Sequence, residues 1–391
     1  MNKLLVDGIY AANIVKLKDI AEKRTTKNID GLVTETFTNS AENGIISQSD
    51  FFDRTITNDK NISGYFIVEP DDFVYNPRIS TFAPVGPINR NKLGRSGVMS
   101  PLYLVFHTHD VEPEYLEWYF KSNAWHQFMR DNGNTGARSD RFSISDAEFF
   151  NMPIPIPPVE VQKTIARTLT TLDTKVTLEK NEVEKFQNLK SAMLTKMFPK
   201  KGENVPEIRF PGFTDAWEQR KLGDIIEFLD TLRKPLKETD REPGPYPYYG
   251  ASGIVDYVAD YIFDEELILL SEDGANITDR NYPVCFLATG KYWVNNHAHV
   301  LKARNKMDNN FICMSMERND YSNYNTGMAM PKLNKDTCCQ IPVDCPTFDE
   351  QRKIGAYFRK LDNLITLHQR KYEKLIDTKK AFLEKLIGGE K

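Results

Sequence analysis

The chain carries one long stretch twice, reading PPVEVQKTIARTLTTLDTKVTLEKNEVEKFQNLKSAMLTKMF at residues 157–198 and PTFDEQRKIGAYFRKLDNLITLHQRKYEKLIDTKKAFLEKLI at residues 346–387. The two stretches align at a constant offset of 189 residues without a gap, and 13 of the 42 aligned positions are identical. So long a period excludes a solenoid, whose repeats run about 20–50 residues. It indicates a duplicated half-molecule, which suits a ligand that itself has two halves. DNA is the first such ligand to consider.

Each copy is predicted to form one long helix. A proline-punctuated run precedes both copies, MPIPIPP at 152–158 and QIPVDCP at 340–346, and proline confines such a run to a sheet edge or a connector. Acidic residues follow at once, where a helix N-terminus favours negative charge. At 1.5 Å per residue, each helix would be a rod of roughly 60 Å.

Alternating steps of four and three residues select a seam along each predicted helix. The positions are Ile165, Leu169, Leu172, Val176, Glu179, Val183, Phe186, Lys190, Met193 and Met197 in the first copy, and Ile354, Phe358, Leu361, Ile365, His368, Tyr372, Leu375, Lys379, Phe382 and Leu386 in the second. Each series is apolar or aromatic at eight of ten positions, and the polar positions are equivalent. This pattern is typical of a coiled coil.

The two helices could pair with each other or pack on separate globular cores. We predict mutual pairing, because a rod of this length exceeds what the core of a small domain requires. The coiled-coil and subunit interface is predicted at Ile165, Leu169, Leu172, Val176, Phe186, Ile354, Phe358, Leu361, Ile365 and Leu375.

Length and composition are ordinary for a globular protein of two or three cores. No run of about 18 apolar residues could span a bilayer, and the start does not read as a signal peptide, so we expect a cytoplasmic protein. Five cysteines, none in a CxxC pair, favour neither a disulfide framework nor a metal site. A zinc site with His297 and His299 is the weaker alternative. These histidines alternate along a predicted strand and are therefore expected to share one of its faces, and we expect structural rather than catalytic roles for them.

Charge is uneven along the chain. The net charge of −4 argues against a nonspecific nucleic-acid coat. The two repeats nevertheless each carry an excess of four basic residues, 9 against 5 in 157–201 and 11 against 7 in 346–391.

The segments outside the repeats are two modules, residues 1–156 and 202–345. In the first module, residues 73–109 contain no acidic side chain. The arginines there could read guanine edges or phosphates, and the alternative is a solvated basic loop. A second polar loop follows at 133–145. The candidate DNA-binding residues are Arg78, Arg90, Lys92, Arg95, Asn134, Thr135, Arg138 and Arg141.

In the second module, aromatic residues lie beside glycine, lysine and asparagine in three short stretches, at 248–253, 271–276 and 289–299. They fit base and sugar contacts, and they fit strand ends of an ordinary sheet equally well. The candidate DNA-binding residues are Tyr249, Ser252, Asn276, Lys291, Tyr292, Asn295, Asn296 and Lys332, the last from a glycine-bearing loop at 325–335.

The order of these features resembles the specificity subunit of type I restriction–modification systems over essentially the whole chain. The resemblance is carried by the duplicated helix with its PIP-type lead-in and by VPEIRFPGFTDAWEQ at 205–219, which leads into KLGDI at 221–225. The run at 248–253, with TGKYWVNNHAH downstream, looks like one recurring type of target-recognition domain. The first module departs from the pattern, since it starts with MNKLLVDGIYAAN instead of that lead-in.

The resemblance implies a mixed α+β protein of two globular target-recognition domains, 1–156 and 201–345, separated by two long antiparallel helices, 157–200 and 346–391. The helices would form a coiled coil with a pseudo-twofold internal repeat. Each domain would read one half of a split DNA site, and the helices would set the spacer and dock two modification subunits that methylate adenine N6. Two restriction subunits would add translocation and cleavage. S-adenosylmethionine, ATP and Mg would bind to the partners, with none on this chain.

The sequence lacks the motifs of an enzyme that would act alone. No Asn-Pro-Pro-Tyr-type loop is present to hold an extruded adenine, and there is neither a GxxxxGK(S/T) phosphate loop nor GxGxxG. These absences agree with a reader of DNA that depends on partners for chemistry. The alternatives are a coiled-coil scaffold with two protein- or carbohydrate-binding modules, and a stand-alone enzyme.

Overall fold

The computed structural model describes residues 12–51, 59–135 and 140–388. The chain divides into two compact units, of which unit 1 contains residues 1–178 and 371–391 and unit 2 contains residues 179–370. Each unit therefore consists of one globular part and one half of each long helix. Within the described ranges, no helix is long and apolar enough to cross a membrane.

Unit 1 is built from short strands and helices around one antiparallel sheet. The strands are β1 (Asn13–Lys16), β2 (Ala21–Lys23), β3 (Phe37–Ser40), β4 (Gly44–Ser47), β5 (Phe66–Val68), β6 (Phe73–Tyr75), β7 (Ile88–Arg90), β8 (Gly97–Met99), β9 (Leu104–Thr108), β10 (Asn134–Thr135), β11 (Phe142–Ser143) and β12 (Pro153–Ile156). The helices are α1 (Gln48–Phe51), α2 (Pro113–Lys121), α3 (His126–Asn132), α4 (Asp146–Phe149) and the first part of α5 (Val159–Lys196). Short 3-10 helices span Leu17–Asp19 and Asp59–Gly64.

Unit 2 uses the same plan with longer strands. The strands are β13 (Glu218–Lys221), β14 (Ile226–Phe228), β15 (Pro243–Gly250), β16 (Gly253–Val258), β17 (Phe263–Asp264), β18 (Leu267–Ser271), β19 (Cys285–Ala288), β20 (Lys291–Val294), β21 (Ala298–Ala303) and β22 (Pro342–Cys345). The helices are α6 (Leu222–Ile225), α7 (Asn276–Asp279), α8 (Asn309–Glu317), α9 (Lys335–Cys339) and α10 (Phe348–Leu386), whose last part belongs to unit 1. Short 3-10 helices span Asp230–Leu232, Glu238–Asp240 and Ser322–Tyr324.

The two units share a framework. Each contains a four-stranded antiparallel sheet, in the order β2-β9-β6-β7 in unit 1 and β14-β21-β18-β19 in unit 2. The proline-punctuated runs are strands β12 and β22, and each pairs with the first strand of its own module, β1 and β13. This pairing brings the two chain ends of a module together at the start of a long helix. Unit 2 adds a second four-stranded sheet, β16-β15-β20-β17, whereas the remaining described strands of unit 1 form two-stranded sheets.

A glutamine that is identical in both repeats fastens each long helix to its module. The Gln162 carboxamide accepts from the backbone N–H of Glu112, just before α2, and donates to the carbonyl of Pro157. Gln351 makes the same two bonds, with the N–H of Asp308 before α8 and the carbonyl of Pro346. Both glutamines are buried, so their retention in the two copies has a structural cause.

The long helices pair with each other in both units, which confirms the predicted fold class. In unit 2, Glu179 contacts His368 at 2.6 Å and Lys190 contacts Asp362 at 2.5 Å. From Glu179 to Lys190 the residue numbers of α5 rise, while those of the contacted residues on α10 fall from 368 to 362. The two helices are therefore antiparallel. The helices are slightly shorter than the predicted 157–200 and 346–391, and residues 389–391 lie outside the described residues.

The predicted seam is the buried face of both helices. All twenty of its positions are buried or half-buried. In unit 1, Lys379 contacts Asp173 at 2.5 Å, which is the same ion pair as Lys190–Asp362 moved by one repeat. In unit 1 the seam is also part of the core of the globular part, because Ile165 and Leu386 share a cluster with residues of α2. The two long helices therefore pair with each other and also pack on a globular core, so both arrangements considered from the sequence occur together.

A buried carboxylate ties the sheet of unit 1 to helix α2. Glu117 of α2 is 5% exposed and binds Arg90 at 2.7 Å, Lys92 at 2.9 Å and Lys121 at 2.8 Å. Burial by itself raises the pKa of Glu117, but the ammonium groups of Lys121 and Lys92 more than offset it and hold that pKa at about 2. The carboxylate therefore stays ionised over the physiological range.

Leu361→Asp should destabilise unit 2, because it places an unpaired carboxylate in a seam where Leu361 is 4% exposed. The expected loss in free energy of unfolding is roughly 3 kcal/mol or more. Leu367→Asp is the matched control, because Leu367 is 48% exposed on the same helix. Its effect should stay within about 0.5 kcal/mol. Urea unfolding followed by far-UV circular dichroism measures both, and equal losses would refute the assigned register.

Glu117→Gln should destabilise unit 1 at neutral pH and much less in acid. The folded-state pKa of about 2 lies below the ordinary value of 4.5, so the stabilisation is present above pH 4.5 and is lost as pH falls towards 2. The difference amounts to at most ~3 kcal/mol. Urea unfolding of both proteins at pH ~7 and pH ~2.5 tests this, with Glu148→Gln at an exposed position of α4 as control. A wild-type advantage that does not change with pH would contradict the assignment.

Candidate nucleic-acid interface

The three candidate stretches of the second module meet at one end of unit 2. The Ser271 hydroxyl, at the end of β18, donates to the carbonyl of Ala251 in the β15–β16 turn at 2.5 Å. The next residue, Glu272, donates its backbone N–H to the carbonyl of His297, in the turn that follows β20, at 2.9 Å. The ends of separate strands are thus held together by hydrogen bonds between neighbouring loops.

A fourth segment, the loop 325–333, joins the same end. The N–H of Gly274 donates to the carbonyl of Pro331 at 3.0 Å, and the N–H of Leu333 donates to the carbonyl of Glu272 at 2.7 Å. We call the four segments 250–253, 271–276, 295–299 and 325–333 the loop cluster of unit 2. A surface assembled from several loops on a rigid sheet is a common location for binding residues.

Some candidate residues of unit 2 are exposed in the loop cluster and others are structural. Ser252, Asn296 and Lys332 are exposed there. Asn276 is buried and binds the carbonyl of Pro283, and the buried Asn295 accepts from the N–H of His297. For the last two, the side chains support the loops rather than face outward.

The remaining three candidates of unit 2 belong to the second sheet. Lys291 is exposed at the start of β20, the end away from Asn296, and its ammonium lies 4.5 Å from the centre of the Tyr261 ring. Tyr292 is fully buried, and burial raises the pKa of its phenol well above the usual range. Tyr249 is half-buried against Tyr292. For all these residues, contact with DNA stays a prediction.

The two histidines differ from what the sequence suggested. They do not share a strand face, because His297 lies exposed in the turn before β21 whereas His299 is buried within it. His297 contacts Asp273 at 2.9 Å. His299 has Nδ1 at 2.6 Å from Asp230 and Nε2 at 2.8 Å from the carbonyl of Leu333. With both ring nitrogens engaged, His299 acts as a structural bridge within the loop cluster.

The acidic group around His299 is neutralised by the protein itself. Asp230, Glu272 and His299 place their ligand atoms close together, as a metal site would require. The Arg233 guanidinium, however, lies 2.7 Å from Glu272 and 3.4 Å from Asp230, and Lys332 lies 3.5 Å from Glu272. Although burial raises the pKa of Asp230, the hydrogen bond from His299 helps to bring that pKa below its usual value. All five cysteine thiols are free, and four are buried.

In unit 1, two candidate arginines lie opposite each other. Arg78 and Arg141 form an isolated antiparallel bridge, which places like charges side by side and is unfavourable unless an anion lies between them. Neither guanidinium has a hydrogen-bond or ion-pair partner within the described ranges. Asn134 and Thr135 are exposed in β10, which pairs with β11 in the same loop. Arg138 lies outside the described residues.

The other candidate cations of unit 1 lie elsewhere and are bound to carboxylates. Arg90 pairs with Phe73 at the start of β6, whereas Arg78 follows the end of that strand. Arg90 and Lys92 bind Glu117, and Arg95 makes a two-pronged contact with Glu35 at 2.7 Å. The four basic residues of 73–109 therefore do not form one surface. DNA contact by Arg90, Lys92 and Arg95 stays a prediction, and their ion pairs make Arg78 and Arg141 the stronger candidates.

Sequence reasoning missed the exposed apolar side chains at these loops. Phe82 is 72% exposed in the turn that follows Arg78, and Met328 and Met330 are 104% and 60% exposed in the loop 325–333. Methionine and phenylalanine are usually buried. The signal available in the sequence was the pair of methionines inside a polar, glycine-bearing loop.

The comparisons with known proteins agree on one family. The family model described as "Type I restriction modification DNA specificity domain" matches residues 12–186 and 214–376. A type I restriction enzyme specificity subunit of Haemophilus influenzae is 34% identical over 137 residues, which is 35% of this chain and 35% of that protein. The match thus spans about a third of that relative.

Two further proteins are similar over more of their length. The MjaX specificity subunit of Methanocaldococcus jannaschii is 22% identical over 314 residues, covering 75% of this chain and 71% of that protein. A crystal structure of a type I restriction–modification S subunit from M. genitalium superimposes with a TM-score of 0.65 at 15% identity, covering 96% of both chains. That likeness concerns the fold. With two family matches that together span most of the sequence, the chain belongs to the type I restriction–modification DNA specificity family.

Proposed function

We propose that the chain is the DNA-specificity subunit of a type I restriction–modification enzyme, and that each unit reads one half of a bipartite DNA site. The observation that carries the proposal is the coincidence of one family match with each module, 12–186 and 214–376. Each module also presents loops with different side chains on a shared framework. A shared framework with different loops is suited to reading two different half-sites.

The paired helices would set the length of the spacer between the half-sites. In their register, Asp173 pairs with Lys379 in unit 1 and Lys190 pairs with Asp362 in unit 2, beside an apolar seam that is buried or half-buried throughout. Neither helix contains an interior proline, and proline is the commonest cause of a sharp kink. A pair of continuous helices in fixed register is a suitable ruler.

The helices would also dock two modification subunits, one on each unit. Five of the 13 identical repeat positions are exposed in both copies, where packing does not constrain the side chain. Unit 1 presents Thr177, Leu178, Glu373, Lys374 and Ala381, and unit 2 presents Thr366, Leu367, Glu184, Lys185 and Ala192. Docking of one partner type on both units would explain why these solvent-facing positions are the same.

Chemistry would come from the partners. Adenine methylation would use S-adenosylmethionine on the modification subunits, and translocation and cleavage would use ATP and Mg on two restriction subunits. The chain itself would be a non-catalytic reader, in keeping with the lack of nucleotide- and adenine-holding motifs in its sequence. We place this assembly in the cytoplasm, where chromosomal DNA is accessible.

The deciding experiment is a genome-wide map of adenine methylation in cells with and without the chain, in the presence of its intact modification subunit. A split motif that disappears with the chain is the expected result. Replacing residues 1–156 by the corresponding module of a relative should then change one half of the motif and leave the other. Unchanged methylation, with both proteins expressed, would favour a scaffold that binds protein or carbohydrate.

Arg78→Ala and Arg141→Ala should each weaken DNA binding by the assembled complex and lower its salt dependence. Each lost phosphate contact lowers the slope of log K against log salt by about one unit. Titrations between roughly 50 and 200 mM salt measure the slope. The control is Arg24→Ala, because Arg24 binds Glu69 and Asp72 in the same unit. An unchanged slope in the Arg78 and Arg141 variants would remove them from the interface.

A further inference from the structure

The loop 325–333 of unit 2 is held rigidly at its base. The Asn325 side-chain oxygen accepts from the N–H of Gly327 at 2.9 Å and from the N–H of Lys332 at 2.8 Å. Thr326 closes the loop with its N–H and its hydroxyl, which both donate to the carbonyl of Lys332 at 2.8 and 3.1 Å. One asparagine thus fastens both ends of a short loop.

A close backbone approach tightens the loop further. A Cβ atom added at Gly327 would lie 1.8 Å from the carbonyl oxygen of Met330, so only glycine fits. Below the loop, Leu333 is fully buried, and its carbonyl lies 2.8 Å from Nε2 of His299. The base of the loop is therefore anchored in the core of unit 2.

The tip of this rigid loop is apolar and exposed. Met328, Ala329 and Met330 are all exposed, with Met328 at 104% and Met330 at 60%. The other described methionines of unit 2, which are Met193, Met197, Met307, Met314 and Met316, are buried or half-buried. Covering these two exposed methionines with a partner lowers the free energy, and the preorganised loop keeps the ordering cost small.

The position of the loop 325–333 indicates that DNA is the partner that covers its methionines. It belongs to the loop cluster of unit 2, beside the exposed hydrogen-bonding groups of Ser252 and Asn296 and the ammonium of Lys332. In unit 1 the same place in the framework, just before the short helix α4 and strand β12, is taken by the loop that contains Arg141. The loop with Arg141 is cationic and the loop 325–333 is apolar at its tip, yet both occupy the same position in the framework. They are suited to bind the same kind of ligand through different contacts.

We propose that Met328 and Met330 form an apolar wedge that inserts between bases of the half-site read by unit 2. Methionine is among the side chains that proteins insert between base steps, where it partly unstacks the bases and bends the duplex. The wedge rests on the proposed DNA-reading function and adds a residue-level mechanism to it. Because it neutralises no phosphate, its contribution to binding is independent of salt.

The test uses the complex of the full chain with its modification subunit and a duplex that carries the methylated motif. The Met328→Ala/Met330→Ala variant should bind this duplex about tenfold or more weakly, since burial of the two methionine side chains contributes about a hundredfold or more and unstacking of the bases offsets part of that gain. The slope of log K against log salt should stay the same. Met328→Leu/Met330→Leu should retain most of the affinity, and Val205→Ser, at an exposed apolar position outside the loop cluster, should retain all of it.

Fluorescence distinguishes a wedge from a surface contact. 2-Aminopurine placed in the second half-site, at positions other than the methylated adenine, should brighten when the wild-type complex binds, and less so with the double alanine variant. Unchanged affinity, an absence of brightening with wild type, or failure of the variant to assemble with the modification subunit would each overturn the wedge. If the wild-type complex shows no sequence-specific binding at all, the proposed function itself fails.

Discussion

The antiparallel pairing of α5 with α10 is the interaction on which the rest of the structure depends. In unit 1, Leu169 of α5 and Leu386 of α10 complete the same apolar core as Trp118 of the globular part. Residues from the middle and from the end of the chain are therefore needed to cover one domain. Neither module could bury its apolar face alone, which explains why the apolar spacing is the same in both helices.

Onto this framework each module adds its own loops. The same sheet order recurs in both units, and the duplicated glutamines Gln162 and Gln351 fix each helix to its module with equivalent bonds. The differences lie in the second four-stranded sheet of unit 2 and in the loops, where the loop containing Arg141 in one unit corresponds to the loop containing Met328 in the other. A rigid frame with replaceable loops lets specificity change without disturbing the packing on which stability depends.

The sequence predicted the fold well and the site poorly, for a physical reason. Seam positions such as Leu361 follow a period that local geometry imposes, and every one of them is buried or half-buried. No comparable sequence pattern shows whether a basic residue is ion-paired within the protein or free to bind DNA. Arg90 and Arg78 look alike in the sequence, yet the first binds a buried carboxylate from a helix 27 residues away, and the second has no partner among the described residues. That distinction depends on tertiary contacts, and so does the outward position of Met328.

The contact between Glu179 and His368 affects which repeat helices can pair favourably with each other. These residues are equivalent positions of the two repeats, 189 apart, and they face each other. If the first repeats of two separate molecules paired in this register, Glu179 would meet Glu179, and two like charges would face each other unfavourably. Two second repeats would likewise bring His368 against His368. Only unlike repeats join an acid to a base, so this one position makes a chain favour its own second half over the like half of a neighbour.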